Sequence, residues 1–196
     1  METFKRNQVE EAIASTLGER EPSADLLGRI KRLLDTDRTL RGPRRSAQQP
    51  RAFTSAESPG RGVEHRFSSY EAFALLLGLR MLAMGMSQTQ VVTLLRSGRR
   101  AIEKAFPRFG VIRTSNVAPK AGDLVISGSY AVGVLFSGYD PATAESAKVI
   151  VSDDHKIFQS EALKVAGQSI SVFEVGNSAP ILARNLERTH PRKRGR

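Results

Sequence analysis

The 196 residues include no cysteine and no tryptophan. Without thiols there is no disulfide, no thiolate metal site and no cysteine nucleophile, and a cytoplasmic location is expected. Aromatic residues make up only 6% of the chain, and none are spaced as a platform for stacking bases. No Walker loop, GxGxxG, HExxH or GxSxG occurs. The stretch GSYAVGVLFSG has the wrong glycine spacing to cradle a phosphate and reads as strand and turn. The opening METFKRNQVEEAIA lacks the apolar core of a signal peptide. The longest apolar run, 70–86, falls short of the roughly 20 residues of a membrane span and carries Arg80 inside it, so no membrane partner is expected. Asp153-Asp154-His155 is the one cluster with metal-ligating side chains. Consecutive strand residues point to alternate faces, so these three read as a polar turn. No catalytic residue, metal ligand or cofactor is expected, and the chain does not read as an enzyme.

What the chain has in excess is positive charge, +10 overall with a pI near 10.5. A balance of that size points to a polyanionic partner, above all nucleic acid. Residues 1–110 hold 19 Lys/Arg against 12 Asp/Glu, or +7. Residues 111–185 hold 6 against 7, or −1, and residues 186–196 hold 5 against 1, or +4.

The chain is organised around the stretch from His65 to Arg96. Between Tyr70 and Met86 only Glu71, Gly78, Arg80 and Gly85 are not apolar, which predicts a helix buried on nearly every side. Ser68 and Glu71 form a capping-box pair at its start, and Gly85 is its natural stop. The signature repeats at once with Ser87 and Gln90, leading into the apolar stripe Val91, Val92, Leu94 and Leu95. A helical hairpin with a tight corner results. In RSGRRAIEKAFPRFG, Gly98 is a candidate interruption, while Ile102 and Phe106 suggest a further turn or two before Pro107.

Upstream, Phe4–Leu17 reads as an amphipathic helix with Phe4, Val9, Ile13 and Leu17 on one stripe and Gly18 past its end. Pro22-Ser23 opens a second helix, with Leu26, Leu27, Ile30, Leu33 and Leu34 inward and Arg29, Lys31 and Arg32 on other faces. Two short helices around a turn, the second basic, outline a helix-turn-helix. From Arg38 to Arg66 the apolar periodicity stops, and seven Arg stand among Gly and Pro breakers with only Glu57 and Glu64 as acids. This stretch reads either as a disordered linker or as an extended wing. In the second case Arg44, Arg45, Arg61 and Arg66 meet phosphates, His65 belongs to the wing, and the centre around 46–60 is mobile between ordered ends.

These residues resemble a known pattern. Arg66-Phe67-Ser68, Glu71, Leu75, Arg80, Gly85-Met86-Ser87, Val91 and Leu94-Leu95 look like the second half of a MerR-type winged-helix DNA-binding domain, in register and without a gap. PSADLLGRIKRLLDTDR resembles that family's recognition helix and the turn after it, although the turn GEREPSA is longer and Leu33 and Leu34 stand where aromatics are common. The resemblance covers about residues 20–96. It implies a homodimeric transcription regulator that binds a pseudo-palindromic site and distorts the DNA between half-sites. Ser23, Arg29, Lys31 and Arg32 would then lie on the recognition helix, and Arg44, Arg45, Arg61, His65 and Arg66 on the wing. The long dimerising coiled coil of the family has no counterpart here, since no sustained heptad appears.

Residues 111–185 read as β-rich. Asp123–Ser127 and Tyr130–Phe136 flank Gly128-Ser129, a two-residue hairpin signal, and Lys148–Ser152 and Ser169–Val175 add β-branched runs. Short helices are expected near Ser160–Val165 and Ala179–Leu186. The final HPRKRGR is either a solubilising end or an extra phosphate-binding arm.

The expected fold is therefore α+β, with a winged helix-turn-helix domain over 1–110, a small antiparallel-sheet module for dimerisation or sensing over 111–185, and a basic tail over 186–196. The expected partners are double-stranded DNA and a second copy of the chain, with RNA polymerase as a further candidate. Two alternatives stand beside the regulator: an excisionase-like architectural or phage replication DNA-binding protein, and an RNA- or ribosome-associated interaction protein.

Overall fold

A computed structural model describes residues 2–40, 51–54, 65–109, 131–136, 148–152, 154, 156–158, 160 and 169–190. The architecture is α+β, with helices and small antiparallel sheets. The chain divides into two compact units, 1–99 with 181–196, and 100–180.

In the first unit, strand β1 (Phe4–Lys5) leads directly into α1 (Arg6–Thr16). Phe4 was expected on the helix, but it pairs across a two-stranded ribbon with Phe67 of β2 (Arg66–Phe67), and both rings are buried. That pairing joins positions far apart in sequence, so no local pattern announces it. Gln8 Oε1 accepts the Lys5 backbone N–H at 3.0 Å and satisfies one of the free donors at the start of α1. Gly18, past the end of the helix, has φ +86°, the left-handed conformation only glycine adopts without steric cost.

The second helix, α2 (Ala24–Thr39), starts at Ser23, whose Oγ accepts from the Leu26 N–H at 3.3 Å. Leu26, Ile30 and Leu33 are buried as the periodicity required, whereas Leu27 and Leu34 are half-buried. The stripe continues to Asp37, a carboxylate at 2% exposure. Helix α3 (Ser69–Ala83) is the centre of the unit, buried continuously from Tyr70 to Leu79. The expected capping box is present: Glu71 N–H donates to Ser68 Oγ at 3.2 Å and Ser68 N–H to Glu71 Oε2 at 2.8 Å. Gly85, at φ +89°, ends the helix, and Ser87 and Gln90 repeat the reciprocal cap at 2.8 and 3.3 Å.

Helix α4 (Gln88–Ala105) buries Val91, Val92, Leu94, Leu95 and Ile102. It runs through Gly98 without interruption. Glycine costs a helix interior about 1 kcal/mol, less than burying the Leu94, Leu95 and Ile102 side chains around it contributes. A 3-10 turn, Phe106–Arg108, closes the stretch.

In the second unit, β3 (Ala131–Phe136) lies between β4 (Lys148–Ser152) and β5 (Ser169–Glu174), both antiparallel to it. Val132 sits opposite Val151 and Phe173, and Val134 opposite Val149 and Ser171, so one face carries a run of apolar side chains. The other face brings Gly133 opposite Ile150 and Val172, with Val172 exposed. The expected strand 123–127 and its turn at Gly128-Ser129 lie outside the described residues. Residues 156–158 and 160 are helical, near the expected short helix. The last helix, α5 (Ser178–Arg188), is longer than expected at both ends, and its part from Ile181 onward belongs to the first unit.

Candidate nucleic-acid interface

The distribution of charge between the units is uneven. Residues 1–99 with 181–196 hold 22 Lys/Arg against 12 Asp/Glu, a net +10, while residues 100–180 hold 8 against 8, a net of zero. The whole excess therefore lies in the helical unit.

Helix α2 presents part of it. Burial of Leu26, Ile30, Leu33 and Asp37 fixes one side of the helix and leaves Lys31, Arg32 and Arg38 on the opposite, exposed side. Arg29 pairs with Asp25 at 2.8 Å and Arg38 with Asp35 at 3.0 Å, both at the surface. Exposed pairs of this kind contribute about 0.3–0.5 kcal/mol, so a phosphate can displace the acid at little cost. Lys31 and Arg32 are exposed and form no ion pair among the described residues. The Arg32 guanidinium lies over Gly28, with Nη1 3.3 Å from where a Cβ would stand.

Ser23 is exposed, but its hydroxyl is already engaged as the cap of α2, and its N–H donates to Glu19 Oε2 at 3.2 Å. Arg66 is exposed on β2, directly across from Lys5. His65 is half-buried, set edge-on to Phe67 at a centroid distance of 4.7 Å. Arg44, Arg45 and Arg61 lie outside the described residues. Of the residues singled out from sequence, Arg29, Lys31 and Arg32 thus share one helix, and Arg66 lies on the ribbon with His65 immediately before it.

What holds α2 in place was not foreseen. Asp37 Oδ1 accepts from Arg96 Nε at 2.8 Å and from the Ala52 N–H at 3.0 Å, and Oδ2 accepts from the Phe53 N–H at 3.1 Å. Arg96 also donates to the Asp37 carbonyl and, at 3.0 Å, to the Leu40 carbonyl, which satisfies acceptors at the end of α2. One helical turn further along α4, Arg99 faces Glu71 at 3.9 Å, donates to the carbonyls of Arg51 and, at 2.9 Å, Thr54, and sits 5.3 Å from the centre of the Tyr70 ring. All four charged side chains are less than a tenth exposed. Arg96 and Arg99 are therefore structural cations, which bind the chain's own backbone instead of a polyanion.

Asp37 and Arg99 between them grip residues 51–54. Ala52 and Phe53 are fully buried, and the Phe53 ring packs against Gly78 of α3 together with Leu33. The centre of the Arg-rich stretch, expected to be mobile, is anchored here. An acid on the buried stripe of α2, at Asp37, was one sequence signal of such a network, since a buried charge requires partners. On α4 the same periodicity sets Arg99 between the buried Leu95 and Ile102, whereas Arg96 carries no such signal beside the exposed Arg100.

Asp154 is exposed, and its Oδ1 accepts the Lys156 N–H at 3.0 Å, as a polar turn requires. Asp153 and His155 lie outside the described residues. Among the described residues no group of His, Asp and Glu is placed to hold a metal ion, and no helix is long and apolar enough to cross a membrane. No protein-family model matches the chain, and no curated protein matches it either.

Proposed function

We propose that the chain is a DNA-binding transcription regulator of MerR-like type, which engages duplex DNA through its helical unit. The observation that carries this reading is the segregation of charge: a net +10 in one unit and a net of zero in the other. Lys31 and Arg32 on the exposed side of α2 contact base edges or phosphates in the major groove, with Arg29 exchanging Asp25 for a phosphate. Arg66 on the ribbon fixes position along the backbone, and Arg44, Arg45 and Arg61 extend that contact. The neutral unit serves self-association or the sensing of a ligand or partner. The buried networks around Asp37 and Glu71 support this assignment, because a rigid frame keeps the basic helix in one orientation before DNA arrives.

The test is anisotropy of the full chain with duplex DNA, single-stranded RNA and double-stranded RNA across a salt series. Duplex DNA is expected to compete best, with log K falling linearly in log salt. Preference for either RNA would replace this function with an RNA-associated one.

A further inference from the structure

Helix α2 carries a glycine at the centre of its outward face. Gly28 lies two residues from Leu26 and two from Ile30, about 200° around the helix from each, and both of those side chains are buried. Gly18 and Gly85 end helices at positive φ, and Gly78 leaves room for Leu33 and the Phe53 ring. Gly28 has neither reason. Its backbone is helical, and the three atoms nearest to an added Cβ all belong to the Arg32 guanidinium, at 3.3, 3.9 and 4.0 Å. Glycine is the least favourable residue after proline in a helix interior, and nothing among the described residues offsets that cost here.

The residues around Gly28 are charged. Asp25 and Lys31 stand three positions away and Arg32 four, so all three share its face. Asp25 is already engaged by Arg29 at 2.8 Å. Arg32 forms no hydrogen bond or ion pair among the described residues, and its guanidinium rests over the bare backbone at Gly28. Resting on the DNA-binding function proposed above, we infer that Gly28 is the point of closest approach between α2 and the floor of the major groove, and that Arg32 leaves it on binding to reach a base edge. A helix with its side chains is about as wide as that groove, ~10–12 Å against ~12 Å. How deeply it enters is therefore set by the side chains in the middle of its outward face. With only hydrogen at that point the backbone comes nearer to the base pairs, and Lys31 and Arg32 beside it reach further in. A guanidinium released from Gly28 carries the planar fork that pairs with guanine O6 and N7. A helix face that met only solvent would gain nothing from the missing methyl group.

Anisotropy of the full chain tests this with two probes: a duplex enriched from a random-sequence pool by the unmodified chain, and an unrelated duplex of equal length. Gly28→Ala is expected to bind the enriched duplex about fivefold more weakly, the lower end of what one base contact contributes. Its affinity for the unrelated duplex and its salt slope are expected to stay unchanged, since no cation is lost. Its thermal midpoint should not fall. Gly28→Ala added to Arg32→Ala is expected to weaken binding further, because the methyl group acts on the approach of the helix itself. Equal affinity of Gly28→Ala and the unmodified chain for the enriched duplex, or a midpoint lowered by the methyl group, overturns the inference and leaves the DNA-binding function standing. A loss seen only while Arg32 is present shows the methyl group acting through that side chain, and overturns the close approach. An unmodified chain that enriches no duplex and shows no salt-dependent duplex binding removes the DNA-binding function, and this inference with it.

Discussion

Arg96 Nε of α4 meets Asp37 Oδ1 of α2 at 2.8 Å with both side chains nearly excluded from solvent. The pair does more than join two helices, because the same carboxylate receives the Ala52 and Phe53 N–H groups and the same guanidinium closes the end of α2. Removing one partner leaves a buried charge and several unmet backbone groups. Asp37→Ala is therefore expected to cost about 3–5 kcal/mol. The double variant Asp37→Leu with Arg96→Met is expected to lose less than the sum of the single changes, since no charge is then stranded. Urea unfolding of the parent chain, Asp37→Ala, the two single variants of the cycle and the double variant measures this, and additive losses would show that the two side chains act independently.

Two glycines on neighbouring helices respond in opposite directions to an added methyl group. At Gly28 the nearest atoms belong to the tip of Arg32, which can swing away, so Gly28→Ala is expected to stabilise by about 0.5–1 kcal/mol through helix propensity. At Gly78 the Cβ would stand 3.3 Å from Leu33 Cδ1 and from two atoms of the Phe53 ring, all fully buried. Overpacking there costs about 1–3 kcal/mol and outweighs the same propensity gain. Phe53→Ala alone is expected to cost about 3–5 kcal/mol, and Gly78→Ala added to it should recover part of that loss. Thermal midpoints of the three single variants and the double variant provide the check.

These two networks also mark where the sequence could and could not be read. The ends of α3 were legible because the capping of Ser68 by Glu71 and the left-handed turn at Gly85 are chemistry within one helical turn. Strands β3, β4 and β5 were legible because β-branched runs alternate between breakers, and the α+β class came from them. Phe53 was not, because it lies among Arg, Gly and Pro, and its burial depends on a glycine in another helix. For the same reason the Arg-rich stretch read as a disordered linker or as an extended wing with a mobile centre. Arginine serves both as a phosphate contact and as a buried backbone clamp, and the location of Asp37 and Glu71 assigns Arg96 and Arg99 to the second role.

The proposed interface separates residues that read sequence from residues that fix position. Lys31→Ala and Arg32→Ala on the exposed side of α2 are expected to cost roughly 1–3 kcal/mol on a specific site and much less on unrelated duplex. Arg66→Ala, on the ribbon, is expected to weaken both by similar amounts and to reduce the salt slope by about one. All three side chains are exposed, so their loss should leave the unfolding midpoint nearly unchanged. Uniform losses from all three would remove α2 from the role of recognition helix while leaving a basic, non-specific surface.

The last prediction concerns assembly. Specific affinity for DNA usually requires paired half-sites, so the proposed regulator needs a two-fold contact. The helical unit is ill suited to supply it, since two surfaces of net +10 repel each other when DNA is not between them. The second unit carries no net charge, and its sheet presents Val172, 44% exposed, on the side where Gly133 leaves no side chain between Val172 and Ile150. A shallow apolar strip on a neutral unit suits contact with its own copy, and homodimers with two-fold symmetry are the commonest assembly. Sedimentation equilibrium is expected to find the full chain dimeric at micromolar concentration and largely insensitive to salt. Val172→Glu should shift it toward monomer without lowering its unfolding midpoint by more than about 0.5 kcal/mol equivalent, as for other exposed positions. A full-length chain that stays monomeric under these conditions overturns the two-fold contact, and a dimer untouched by Val172→Glu and weakened by rising salt places it elsewhere.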